Sequence, residues 1–154
     1  MSRKRKTFII ILSILIALTL AFIWGNSMRG GTKSTAQSES TYSSLQGVLD
    51  FIFGKGGITH LQFRKLAHFG EFFVLGIEIN LLYIAIKRYK LKRIYEVLGI
   101  GLLVGIIDEL IQFTTDRAPS IIDAIIDFGG IVVATGIIML ITLIINKKKN
   151  KTHA

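Results

Sequence analysis

The chain has 154 residues, 51% of them hydrophobic, with a mean hydropathy of +0.56 and a single proline, too short for several soluble domains and too apolar for one. A net charge of +9 would suit nucleic acid in a soluble protein, but here lysines and arginines cluster at the ends of apolar runs. That argues against nucleic acid and makes the lipid bilayer the expected partner. Cysteine is absent, which excludes a disulfide framework and a thiolate metal site.

Ser2-Arg3-Lys4-Arg5-Lys6 precedes an apolar run from Phe8 to Trp24. A basic segment before an apolar stretch also opens secretory signals, but this run is longer than their apolar core and lacks a clear small-x-small cleavage site. It reads as a retained transmembrane helix, spanning about 8–24, with Trp24 as an interfacial anchor. From Gly25 to about Thr59 the composition turns to Gly, Ser, Thr and Gln, which favour turns and short capped helices. Within this outer loop (25–65) Leu45, Val48, Leu49, Ile52 and Phe53 follow i, i+3, i+4, i+7, i+8 spacing. They predict a short amphipathic helix, lying on the membrane surface or packed over the bundle mouth.

A second helix begins near His60 and crosses the bilayer over about 66–86. Steps of four and three place Arg64, His68, Glu71, Leu75 and Glu78 on one face. Glu78 lies ~15 Å along the axis from His68 at 1.5 Å per residue, where it must be protonated or paired, for example with Asn80 or Thr135. The basic loop Lys87 to Arg93 leads to a third span over 94–113, in which Gly101 and Gly105 lie on the face that continues to Asp108. Small residues at this spacing let helices approach closely in lipid. Pro119 and Ser120 suit a helix start, and the fourth span covers 121–145, with Gly130 and Ala134 as small positions, before a basic tail.

The expected fold is all-α: one membrane domain over 1–154, a bundle of four transmembrane helices with both termini cytoplasmic. Thirteen of the nineteen basic residues fall in the three segments assigned to the cytoplasm, and Glu96 is the one acid of ten on that side. The positive-inside bias thus agrees across all three.

Between the last two spans, Asp108 to Gly130 holds five carboxylates and one arginine. Ionisable groups near hydrocarbon are costly and mark functional sites. Asp108 and Gln112 share one face, as do Ser120, Asp123 and Asp127, while Glu109 and Asp116 point elsewhere. Together with Arg64, Lys65, His68 and Glu71, three helices deliver polar residues to one outward-facing mouth.

These residues resemble a known family. Arg64-Lys65-x-x-His68-x-x-Glu71, then Asp108-Glu109-x-x-Gln112, then Arg117 followed by Asp123 and Gly130 look like the signature of the VanZ-like membrane proteins, as does Asn26-Ser27 to Ser38. The ordered set covers about Trp24 to Gly136. Two positions depart from the pattern: Phe72 stands where tyrosine is common, and Asp127 where asparagine is expected. The family's named member is associated with resistance to teicoplanin-type glycopeptides, so the resemblance implies a role at the bacterial cell envelope.

Two readings follow. In the first, the mouth binds a lipid headgroup, a lipid-linked wall precursor or a glycopeptide without changing it. In the second, an intramembrane enzyme modifies a lipid-linked phosphate substrate. His68 or Glu71 then acts as general base, Asp108 and Asp123 hold a cation or orient a nucleophile, and Arg64 and Arg117 bind phosphate. Lys65, Glu109, Gln112 and Asp127 complete the ligand-contacting set. Histidine and carboxylates together admit a metal, but His68-x-x-Glu71 is not a recognised zinc spacing, and the sequence assigns no cofactor. A third alternative has the charges forming an internal salt-bridge network that locks the helices.

Overall fold

The structure, a computed structural model, describes residues 2–86, 93–115 and 120–152. Among them are five helices and no strand: α1 (Arg3–Ser27), α2 (Gly31–Phe53), α3 (His60–Ala85), α4 (Ile94–Phe113) and α5 (Ile121–Thr152). The basic loop 87–92 and the turn residues Asp116, Arg117, Ala118 and Pro119 lie outside the described residues.

Helices α1, α3 and α5 are long and apolar enough to cross a membrane. The 20 residues of α4 rise about 30 Å, the thickness of a hydrocarbon core, but include Glu96, Asp108 and Glu109. Large apolar side chains such as Ile10, Leu18, Leu103, Ile125 and Leu140 point away from the bundle, as lipid-facing positions do.

Helices α1, α3, α4 and α5 run alternately up and down. At one end the Arg5 side chain donates to the Ala85 carbonyl and Tyr83 Oη donates to Glu96 Oε2 at 3.0 Å, while Arg93 pairs with Glu96. That end gathers the start of α1, the end of α3 and the start of α4. The opposite end gathers the end of α1, the starts of α3 and α5 and the end of α4, so every site residue on these helices falls together.

Packing is most extensive between α3 and α5, and small residues permit it. A Cβ on Gly130 would lie 2.5 Å from the Phe69 carbonyl oxygen, and one on Gly76 would lie 2.8 Å from Cβ of Ala134. Gly101 admits Ile131 in the same way, at 2.7 Å. The core of Ile23, Phe72, Leu75, Ile79, Val97, Val104 and Ile131 fills the space between helices. Trp24, expected as an interfacial anchor, is half-buried and rests its ring on this core.

The polar segment after α1 differs from expectation. Instead of turns and a short helix, α2 is 23 residues long and is separated from α1 by three residues. Its hydroxyls fold back on their own helix: Ser38, Thr41 and Ser44 donate to the carbonyls of Thr35, Gln37 and Ser40. Of its apolar stripe Leu49 is buried, whereas Leu45, Val48, Ile52 and Phe53 are exposed. Gly54 and Gly56 then take positive φ (81° and 67°), a conformation that favours glycine, and turn the chain toward α3. Thr59 and Gln62 form a capping box at its start. Tyr42 fastens α2 there, with Oη donating to the Ile58 carbonyl at 2.8 Å and its ring against His60 and Phe63.

Candidate functional site

Asp108 is the centre of the polar end. Its side chain is fully buried on α4, yet both carboxylate oxygens are satisfied: Ser27 Oγ donates to Oδ1 at 2.6 Å and Gln112 Nε2 donates to Oδ2 at 2.7 Å. Gln112 comes from the next turn of the same helix, as the i, i+4 spacing predicts. Ser27 comes from the last turn of α1, and Thr115 Oγ1 donates to its carbonyl at 3.1 Å. Two donors on separate helices fix one buried carboxylate in place.

Helices α3 and α5 bring the remaining groups. Asp127 is fully buried, and neither of its oxygens has a hydrogen-bond partner among the described residues. His68 Nδ1 stands 4.0 Å from Asp127 Oδ1, and Lys65 Nζ stands 4.0 Å from Asp123 Oδ1. Glu71 Oε1 accepts from Asn26 Nδ2 at 3.4 Å, while its second oxygen is buried without a hydrogen-bond partner among the described residues. At the start of α5, Ser120 Oγ accepts from the Asp123 amide at 3.3 Å, the cap expected of it. The Ser120 amide donates to Glu109 Oε2 at 2.7 Å. Glu109 therefore ties the end of α4 to the start of α5.

A cavity of about 210 Å³ opens on this end between α1, α2 and α3. Helix α3 lines it with Arg64, His68 and Glu71, α1 with Phe22 and Asn26, and α2 with Ser34, Gln37, Ser38 and Thr41. One wall thus carries the charged groups and the facing wall is neutral and hydroxyl-rich. Ser38 Oγ also meets His60 Nε2 at 2.8 Å.

A family model described as VanZ/LLP1 matches residues 8–143. The chain belongs to the VanZ-like family. No curated protein and no solved structure is significantly similar to it.

In this VanZ-like chain, Arg64, His68 and Glu71 line the cavity, and His68 also stands in one cluster with the buried Asp108 and Asp127, Gln112 being bonded to Asp108. Lys65 and Asp123 form a partly exposed pair between α3 and α5. Glu109 is engaged with the α5 N-terminus, and Arg117 lies outside the described residues. Sequence reasoning passed over Asn26 and Ser27 as site residues, although a polar pair closing an apolar span is a signal in itself. It also missed the α2 wall, having expected turns and short helices there.

One expectation is corrected. Glu78 pairs with neither Asn80 nor Thr135: its Oε1 accepts from Thr19 Oγ1 on α1 at 3.1 Å, while Asn80 Nδ2 donates to Thr135 Oγ1 at 3.0 Å. The α3 face that carries Glu71 and Glu78 is turned to α1, and Asn80 faces α5. Chemically, the site offers a cation for an anionic group, an imidazole and a carboxylate that accept protons, and two buried aspartates.

Proposed function

We propose that this VanZ-like protein crosses the membrane four times with both termini cytoplasmic. Its polar end then faces outward and binds or acts on a cell-envelope molecule (a lipid, a wall precursor or a glycopeptide antibiotic), raising antibiotic tolerance. The distribution of basic residues supports the orientation, and the length of α4 matches a bilayer core. Its Asp108 and Glu109 lie near the end that reaches the outer interface. The observation that carries the reading is the cavity, where Arg64 and the half-satisfied carboxylate of Glu71 face neutral α2 residues. A guanidinium suits a phosphate or carboxylate, and hydroxyls suit sugar or peptide groups.

A second reading, modification of a lipid-linked phosphate, is favoured by the same pair: Arg64 would hold the anion and Glu71 or His68 would move the proton. Mass spectrometry of envelope lipids and wall precursors separates the two. Cells carrying no protein, wild type or Glu71→Gln at matched abundance are compared, with teicoplanin susceptibility measured in parallel. A species gained or lost with wild type alone supports catalysis. Unchanged profiles with protection present support binding, and unchanged profiles with unchanged susceptibility would overturn the proposal. Cysteines placed at Ser38 and Lys90 test the topology, with labelling from outside expected at position 38 alone.

A further inference from the structure

We propose that His68, Asp108 and Asp127 bind one divalent transition-metal ion beside the cavity that His68 lines. Each offers one ligand atom, and the three atoms lie within 4.8 Å of one another. Three points that close share a centre within about 2.8 Å of each, so small side-chain adjustments reach the ~2.0–2.2 Å bonds of zinc to nitrogen and oxygen.

The ligands come from α3, α4 and α5, so the site depends on the folded bundle rather than on one sequence motif. This explains why no metal spacing is visible in the chain.

The second observation is Asp127. A carboxylate with no exposure and no hydrogen-bond donor to either oxygen, among the described residues, is a costly group to leave in a bundle core. Its Oδ1 lies 4.0 Å from His68 Nδ1, too far for a direct hydrogen bond. That separation is within the span of two metal–ligand bonds of ~2.0 Å each. Asp108 lies within the same cluster, so two buried carboxylates sit together and a dication would offset their repulsion.

Asp108 is also prepared as a ligand. Ser27 and Gln112 occupy one lone pair on each of its oxygens, which orients the carboxylate and leaves further lone pairs for an ion. Hydrogen bonds of this kind position ligands throughout metalloproteins. One imidazole and two carboxylates suit Zn²⁺ or Mn²⁺ better than soft Cu⁺. Three protein ligands leave a coordination position for water or substrate, and His68 itself lines the cavity. The inference goes beyond the function proposed above and holds whichever envelope molecule the site takes.

The test uses the full-length protein, purified in detergent without a histidine tag, stripped with chelator and titrated separately with Zn²⁺ and Mn²⁺. We expect one ion per chain by elemental analysis after desalting. Asp127→Asn should weaken binding at least tenfold, and Gln112→Ala tenfold or more through loss of ligand orientation. His60→Gln, at a histidine outside the cluster, should leave binding unchanged. Wild-type protein loaded with Mn²⁺ should also show nitrogen coupling from one imidazole by pulsed electron paramagnetic resonance, a readout independent of whether any variant folds. Absence of a stoichiometric ion, affinity unchanged by Asp127→Asn in a protein that keeps its thermal transition, or bound Mn²⁺ without nitrogen coupling would each overturn the proposal.

Discussion

Ser27 Oγ donates a 2.6 Å hydrogen bond to Asp108 Oδ1, joining the last turn of α1 to the last third of α4 with both side chains fully buried. Removing the hydroxyl leaves a buried carboxylate one donor short, a loss of about 1–3 kcal/mol. Ser27→Ala should therefore lower the unfolding midpoint in detergent, and Ser27→Thr should retain most of the stability. A Ser27→Ala protein as stable as wild type would mean that this bond does not hold the two helices.

Glu71 and Glu78 separate site from scaffold on one helix. Glu71 lines the cavity, whereas Glu78 lies two turns deeper against Thr19. At matched abundance Glu71→Gln should abolish the antibiotic protection proposed above, and Glu78→Gln should leave it near wild type, because an amide still accepts from Thr19. Equal loss in both variants would remove the distinction.

Gly130 faces backbone on two sides: a Cβ there would approach the Phe69 carbonyl oxygen at 2.5 Å and the Phe73 amide nitrogen at 2.8 Å. Backbone yields less readily than a side chain, so Gly130→Ala should destabilise the bundle by about 1–3 kcal/mol. Gly136 has no atom within 4 Å of its would-be Cβ, and Gly136→Ala should be neutral or slightly stabilising. Thermal unfolding of the two variants side by side checks the contrast.

Asn80 and Thr135 form a pair buried between α3 and α5, with Asn80 Nδ2 also donating to the Gly76 carbonyl at 2.8 Å. A double-mutant cycle with Asn80→Ala and Thr135→Ala should give a coupling of about 0.6 kcal/mol, below ~2, as for other hydrogen bonds between membrane helices. A coupling indistinguishable from zero would leave the α3–α5 contact to steric packing alone.

Much of this arrangement was legible in the sequence because the governing signals were local. The bounds of α4 follow from the end of a basic run and the start of a polar one. The Asp108–Gln112 bond follows from i, i+4 geometry, and the close approach at Gly130 and Ala134 from residue size. What escaped depends on the rotation of one helix against another. Which face of α3 meets α1 decides that Glu78 takes Thr19 and Asn80 takes Thr135, and a period of 3.6 cannot fix that phase. The length of α2 was hidden for a different reason: serine and threonine are poor helix formers on average, and their bonds to their own helix carbonyls become visible only once the helix exists. The metal cluster is tertiary by construction, with ligands from three helices.

The two walls of the cavity differ in what holds them. The charged wall belongs to α3, whose packing against α1 and α5 makes the bundle, and its His68 also stands in one cluster with the buried Asp108 and Asp127. The opposite wall belongs to α2, which packs on α3 and contributes neutral Ser34, Gln37, Ser38 and Thr41. Exchanges on that one helix can therefore change the neutral wall while the charged wall on α3 stays fixed, so if the cavity takes an envelope molecule as proposed above, its ligand preference can drift without rebuilding the bundle.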